Sequence, residues 1–198
     1  IAHKRDALLT VQYAVTCRQE VIAWSATHLP HATADRFFGV GATILLVPQT
    51  GGSIPDVHDV VLRWDLPRNW RGASTWGIGQ SVGDRMRSAD LRNAAYLAGP
   101  LDTGTTRERG ADVSVASAGR FAFDANQLAK VVAPIAADQC EFMRETAFPP
   151  LVVTLVPAGE PVASGPAKLH GQGFTRGLAL WLAPDADLTE GLEHVIAH

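Results

Sequence analysis

The chain has 198 residues, 46% apolar, 19% charged and 7% aromatic, with a formal net charge of −3. That length buries a substantial core in one large or two small domains, and 17 basic against 20 acidic residues exclude a strongly basic nucleic-acid binder and leave little for an anionic membrane. No apolar run approaches the roughly 18 residues of a membrane span, and two distant cysteines, Cys17 and Cys140, make neither a disulfide framework nor a zinc ribbon.

Residues 9–16 alternate apolar and polar positions as a half-buried strand does, and 20–27 follow after a short link as a pairing partner. Further strands are expected at 42–47, 58–66 and 112–117, with turn-rich segments at 48–55 and 102–106 between them. A short helix fits 88–97, closed by Gly99 and Pro100. Up to about residue 118 the chain therefore reads as a β-sandwich or curved sheet. The character then changes. Asp124 and Gln127 have capping-box spacing. Leu128, Val131, Val132, Ile135, Phe142 and Met143 share one face at helical period, which predicts a helix to about residue 145. Pro134 lies off that face and should bend the helix without ending it. Residues 151–156 are apolar throughout, as in a strand covered on both faces. Beyond a Pro- and Gly-rich stretch at 157–166, residues 178–183 give a second buried strand. Asp187 and Glu190 then open a last helix whose stripe is Leu188, Leu192, Val195 and Ile196. The expected fold class is α+β: a β-rich, sandwich-like domain over 1–118, then an α/β unit over 119–198.

Few residues carry chemistry. Gly191, His194 and His198 line one edge of the last helix, and histidines four apart on a helix can share a metal. Val195 follows His194 where the zinc-peptidase motif H-E-x-x-H needs a glutamate, so half-exposed helix histidines beside a C-terminal dipole are the plainer reading of that pair. Gly171-x-Gly173-x-x-x-Gly177 and Gly77-x-Gly79-x-x-x-Gly83 imitate dinucleotide loops. Residues 171–177 lead into a strand, however, and offer no helix N-terminus to a phosphate. Gly171 and Gly173 better suit close approach of a ligand to the backbone, with a peptide pairing along the adjacent strand edge; an ordinary turn is the other reading. Trp24, Trp64 and Trp181 fall in strand patterns and are expected in the core or at an interface. Trp70 and Trp76 flank Arg71, where packing outweighs a cation–π contact. His28 and His31 surround Pro30 in a turn. Cys17 and Cys140 read as inert thiols, and Ser114, Ser117 and Ser164 lack the Gly-x-Ser-x-Gly context of a nucleophile.

The order of segments resembles the gluzincin zinc metallopeptidases, nearest their glycyl-aminopeptidase branch. The matching segments are Trp64-Asp-Leu-Pro-Arg-Asn-Trp70, Ser74-Thr-Trp-Gly-Ile-Gly79, then 113–117 and Phe121-Ala-Phe-Asp124 with its helix. Pro150-Leu-Val-Val-Thr-Leu-Val-Pro157 and Gly171-Gln-Gly173 before Leu178-Ala-Leu-Trp-Leu182 complete the series. Val195-Ile-Ala-His198 then resembles the approach to H-E-x-x-H. The resemblance covers most of residues 8–198. It implies an N-terminal β-rich domain followed by the α/β opening of a thermolysin-like catalytic domain, acting on peptides. It also implies His198 as the first zinc ligand, with a second histidine, a ligating glutamate and a glutamate base lying beyond it. It places Gly171, Gln172 and Gly173 at the substrate. One departure matters: the branch carries Gly-Gly-Leu-Glu-His in its glycine segment, where the carboxylate holds the substrate's amine. This chain has His170-Gly-Gln-Gly-Phe-Thr-Arg176 there, without a carboxylate. The string Gly191-Leu-Glu-His194 lies on the zinc helix and is coincidental. Aminopeptidase specificity is therefore not carried over, and an endopeptidase-like, altered or non-peptidase role stays open.

The expectation is a fragment of a zinc metallopeptidase-like protein, inactive alone and binding zinc weakly or not at all, since one imidazole does not make a site. The competing reading is a non-enzymatic β-sandwich binding or interaction module. The chain opens on Ile1 and stops at His198 within the predicted last helix. These ends lead us to expect a longer protein, self-association through the apolar stripe of that helix, and a removed leader favouring an exported or periplasmic location over the cytoplasm.

Overall fold

A computed structural model describes residues 10–17, 21–47, 56–145, 149–159, 169–184 and 186–188. Its centre is β10 (Leu151–Pro157), buried at every position but the first. A continuous apolar run of this kind can persist only where both faces are covered, and three layers provide that cover.

The middle layer is a mixed sheet. β8 (Asp102–Glu108), β9 (Ala111–Ser117), β10, β11 (Leu169–Phe174) and β12 (Gly177–Leu182) lie in the order β11-β12-β10-β9-β8. β9 and β12 run parallel to β10, whereas β8 and β11 run antiparallel on the outside. Parallel neighbours need a crossover, which α3 (Ala125–Phe142) supplies between β9 and β10. Leu128, Val132 and Ala136 of α3 pack on Val113, Val115, Val153, Leu155 and Leu180. Asp124 accepts a bond from the Gln127 amide at 2.7 Å, and the Gln127 side chain accepts from the Asp124 amide at 2.8 Å, closing the expected capping box. Gly104 lets β8 press against the first turn of α3, where a Cβ would stand 2.5 Å from the Ala125 and Asn126 backbone.

On the opposite face lies an antiparallel sheet of β1 (His31–Ala32), β2 (Phe37–Val40), β4 (Arg71–Ser74), β5 (Gly77–Ile78) and β7 (Ala95–Gly99), ordered β1-β2-β7-β4-β5. Phe38, Leu97 and Ala73 from this sheet meet Ala116, Val156, Ala179 and Trp181 from the other. The Phe38 and Trp181 rings pack edge to face with centroids 5.4 Å apart. A two-stranded ribbon, β3 (Val57–Arg63) with β6 (Ser81–Arg87), stands beside the layers. Two short helical segments, α1 (Gly41–Ile44) and α2 (Ser88–Arg92), flank it. The class is α+β and rich in strands, as expected.

Several elements differ from the sequence expectation. Residues 10–17 and 21–27 form no strand: Val11, Tyr13 and Val15 are exposed. Tyr13 instead straps the chain by donating to the Ile44 carbonyl and accepting from the Leu46 amide. The strand expected at 42–47 is the helical turn α1 and its exit. The helix expected over 88–97 ends at Arg92, because 95–99 is needed as the buried centre of the antiparallel sheet. The segment expected as turns at 102–106 is strand β8. His31 begins β1 and is fully buried. Phe142 and Met143 do not share the buried face of α3, being 85% and 67% exposed. An 18-residue helix is about 27 Å long against about 23 Å for seven-residue strands, so its last turn overhangs the sheet. Pro134 lies inside α3 on the exposed side. Residue 118 stands just past β9, and the ladder between β9 and β10 joins the chain on its two sides into one sheet. The change of sequence character there marks entry to the crossover. The last predicted helix, beyond Leu188, lies outside the described residues.

Leu155 is fully enclosed between α3 and the sheet, so Leu155→Ala should lower unfolding free energy by about 2–5 kcal/mol in urea titration. Gly104→Ala should cost about 1–3 kcal/mol through overpacking. Phe142→Ser, at the overhanging turn, should stay within about 0.5 kcal/mol of the parent.

Candidate functional site

The residues singled out for substrate, Gly171, Gln172 and Gly173, lie on β11 and not in a turn; the turn is Thr175 and Arg176. β11 pairs on one side only, with Gly171 opposite Leu180, Gln172 opposite Ala179 and Gly173 opposite Leu178. Its other side carries no strand among the described residues. Such an edge presents free main-chain donors and acceptors to an incoming extended chain. Alternation assigns the faces. Leu169 packs with the α3-side cluster, so Gly171 and Gly173 point to that side, while His170 and Gln172 point toward the antiparallel sheet. Gly173 is exposed, and a Cβ there would meet nothing within 4 Å. His170 is exposed and lies against Trp181, ring centroids 5.3 Å apart.

Gln172 forms one wall of an open cleft of about 340 Å³, lined otherwise by Val40, Ala42, Ala89, Arg92 and Asn93. The walls are pinned. The Thr175 amide donates to the Asn93 carbonyl at 3.1 Å, and Asn93 Nδ2 donates to Thr175 Oγ1 at 3.3 Å. α1 is held against α2 by the Gly41 amide on the Ala94 carbonyl at 2.9 Å, where any Cβ would collide with the Leu91 carbonyl. Below Thr175, Asp90 receives a two-pronged grip from Arg87, with Nε at 3.0 Å and Nη2 at 2.8 Å. That grip holds the Asp90 carboxyl below the usual carboxylate range; burial opposes it and Thr175 assists it. Arg176, at the hairpin turn, pairs with Asp84 at 2.8 Å.

A Ser–His–Asp set occurs at the base of the ribbon but is ordered wrongly for catalysis. Asp56 bonds both Ser88 and, at 3.2 Å, His58 Nε2, so the carboxylate stands between hydroxyl and imidazole. A nucleophile needs the base next to it. Burial pushes the Cys17 thiol up, away from reactive thiolate. His194 and His198 lie outside the described residues. Among the described residues no group of three or more His, Cys, Asp or Glu side chains could hold a metal, and no helix is long and apolar enough to cross a membrane.

Sequence reasoning found Gln172 but missed the residues across the cleft. Asn93 and Thr175 are 82 positions apart, and no spacing rule links them. The signal that existed was the charge pattern at 84–92, three arginines and two aspartates on β6 and α2.

No family model and no curated protein matches the chain. Among solved structures it is similar to that of an aminopeptidase N family protein from Idiomarina loihiensis, at TM-score 0.64 and 15% identity over 89% of this chain. The likeness is one of fold. The chain spans 32% of that protein's length.

Because Asp90 ionises at lower pH in the folded chain than in the unfolded one, its charge stabilises the fold above about pH 4, and that contribution drains away as pH falls through the folded value. Thermal melts from pH 6 to pH 3 should therefore show a steeper decline for the parent than for Asp90→Asn, with Asp90→Asn already less stable at pH 6.

Proposed function

We propose that this chain is the β-rich opening part of a zinc-dependent metallopeptidase-like protein, in which β11 is the edge that docks a peptide substrate. The observation that supports the reading is an antiparallel edge strand, glycine-bearing and open on its outer side among the described residues, on a mixed sheet in a fold similar to that of an aminopeptidase N family protein. Gly171, Gln172 and Gly173 then present main chain to the substrate. The missing side chain at Gly173 leaves room for the peptide to close on the strand. An extended peptide held this way is oriented by its backbone, and register decides which bond is presented. No carboxylate stands at the glycine segment, so a terminal amine gains no counter-ion there.

The described residues do not fit a zinc ion, having no cluster of donors. His198 is the one ligand the reading assigns to this chain. A single imidazole does not retain zinc, so the remaining ligands, a histidine and a glutamate, must be supplied by sequence beyond it. Zinc, when bound, would supply Lewis-acid activation for hydrolysis; the contribution of residues 10–188 is substrate placement.

The full-length protein should carry close to one zinc per chain by metal analysis, and His198→Ala should lose it while keeping the parent's circular dichroism. Encoded residues after His198 should place Glu first and His fourth. Zinc retained by His198→Ala, or a different pair of residues, removes the metallopeptidase reading and leaves a β-sandwich binding module.

A further inference from the structure

We infer that the cleft between α1, α2 and β11 receives an acidic side chain of the docked peptide, with Arg92 as its counter-ion and the Gln172 amide as its hydrogen-bonding wall; this rests on the docking edge proposed above. Three observations carry it. First, the charges around the cleft leave one cation over. Asp90 is committed to Arg87, and Asp84 to Arg176. Among the described residues the Arg92 side chain on the cleft wall has no anionic partner, and neither it nor the Gln172 side chain makes a hydrogen bond. Second, the cleft is built before any ligand arrives. The Asn93–Thr175 bonds fix the C-cap of α2 to the turn after β11, and the Gly41–Ala94 bond fixes α1 to the chain just past α2, so binding does not have to order the walls. Third, the cleft lies on the correct side of the edge. A peptide added to β11 sends alternate side chains to the two faces, and Gln172 shows that the cleft serves the face toward the antiparallel sheet. Val40, Ala42 and Ala89 give a small apolar floor suited to the methylenes of a glutamate. Its carboxylate meets a guanidinium and an amide NH₂, both donors.

Blocked hexapeptides of alternating valine and threonine, with one central Glu or Gln, test this on the intact chain. Affinity is read by calorimetry, and the docking position by amide chemical shifts of residues 169–173. The Glu peptide should bind about fivefold more tightly than the Gln peptide, as a half-exposed ion pair allows, and added salt should shrink that ratio. Moving Glu by one position, to the other face, should abolish it. Arg92→Gln should bring the ratio to one, while Arg92→Lys keeps part of the preference. If the two peptides bind along β11 equally, or the ratio survives Arg92→Gln, the cleft assignment is wrong and the docking edge stands. If neither peptide shifts residues 169–173, the docking edge fails and the cleft assignment fails with it.

Discussion

One strand sets the terms for the rest of the molecule. β10 is apolar along its length and lies between parallel neighbours, so neither of its faces tolerates water. Val153 and Leu155 turn to α3, while Val156 turns to the antiparallel sheet. Each covering layer is recruited by that need. α3 is the crossover that parallel pairing with β9 requires, and the antiparallel sheet closes the second face through Phe38, Leu97 and the Trp181 indole. Thr154, fully buried on β10 with no partner for its hydroxyl, is a cost that such burial absorbs in an otherwise apolar interlayer.

Covering both faces leaves the sheet only its two edges for contact with anything else. These edges are unlike. β8 is covered where Gly104 admits the backbone of α3 and Asp102 accepts from the Ala125 amide at 2.7 Å. β11, at the far end, is tied beyond its ladder with β12 at its C-terminal turn, by Thr175 to Asn93 and Arg176 to Asp84. Among the described residues the open stretch from Leu169 to Gly173 is therefore a consequence of topology: an antiparallel strand ends the sheet, and its glycines withhold the side chains that would hide it. The cleft follows from the same geometry, because α1 and α2 lie on the connections between the antiparallel sheet and the ribbon and come to rest beside this edge.

What the sequence made legible was burial, and what it hid was pairing. The run at 151–156 announced a strand covered on both faces because no other environment suits it. Asp124 and Gln127 announced a helix start because the capping box is a local contact. The alternation at 9–16 was equally clear and led to the wrong element. Alternation reports that one side of an extended chain touches protein, and Tyr13 achieves that as a strap, with no ladder. Residues 95–99, Ala-Tyr-Leu-Ala-Gly, are compatible with a helix by local propensity; only the neighbouring strands β2 and β4 make them a strand. The threonines at 103, 105 and 106 favour a strand, but Gly104 among them suggested a turn, because close approach by a distant helix cannot be read from spacing. At the site the same division holds. Gly171 and Gly173 were visible as glycines beside a strand, whereas Arg92 and Asn93 reach the cleft only through long-range contacts.

A shared fold does not transfer chemistry, and here the described residues separate two tasks that a peptidase must combine. Holding an extended peptide needs backbone groups in register, which an edge strand provides without any reactive side chain. Cleaving it needs a cluster of ligands or an ordered nucleophile and base. The described residues include an edge strand, β11, and, in the Asp56–His58–Ser88 arrangement, a set with the right members in the wrong order. An edge strand selects by register and by whatever lies beside it, so any selectivity of β11 must come from its flanks. On the α3 side the glycines remove side-chain contacts; on the other side lie Gln172 and the Arg92 guanidinium. On the docking proposed above, geometry confines discrimination to alternate residues of the peptide, those that would face the antiparallel sheet.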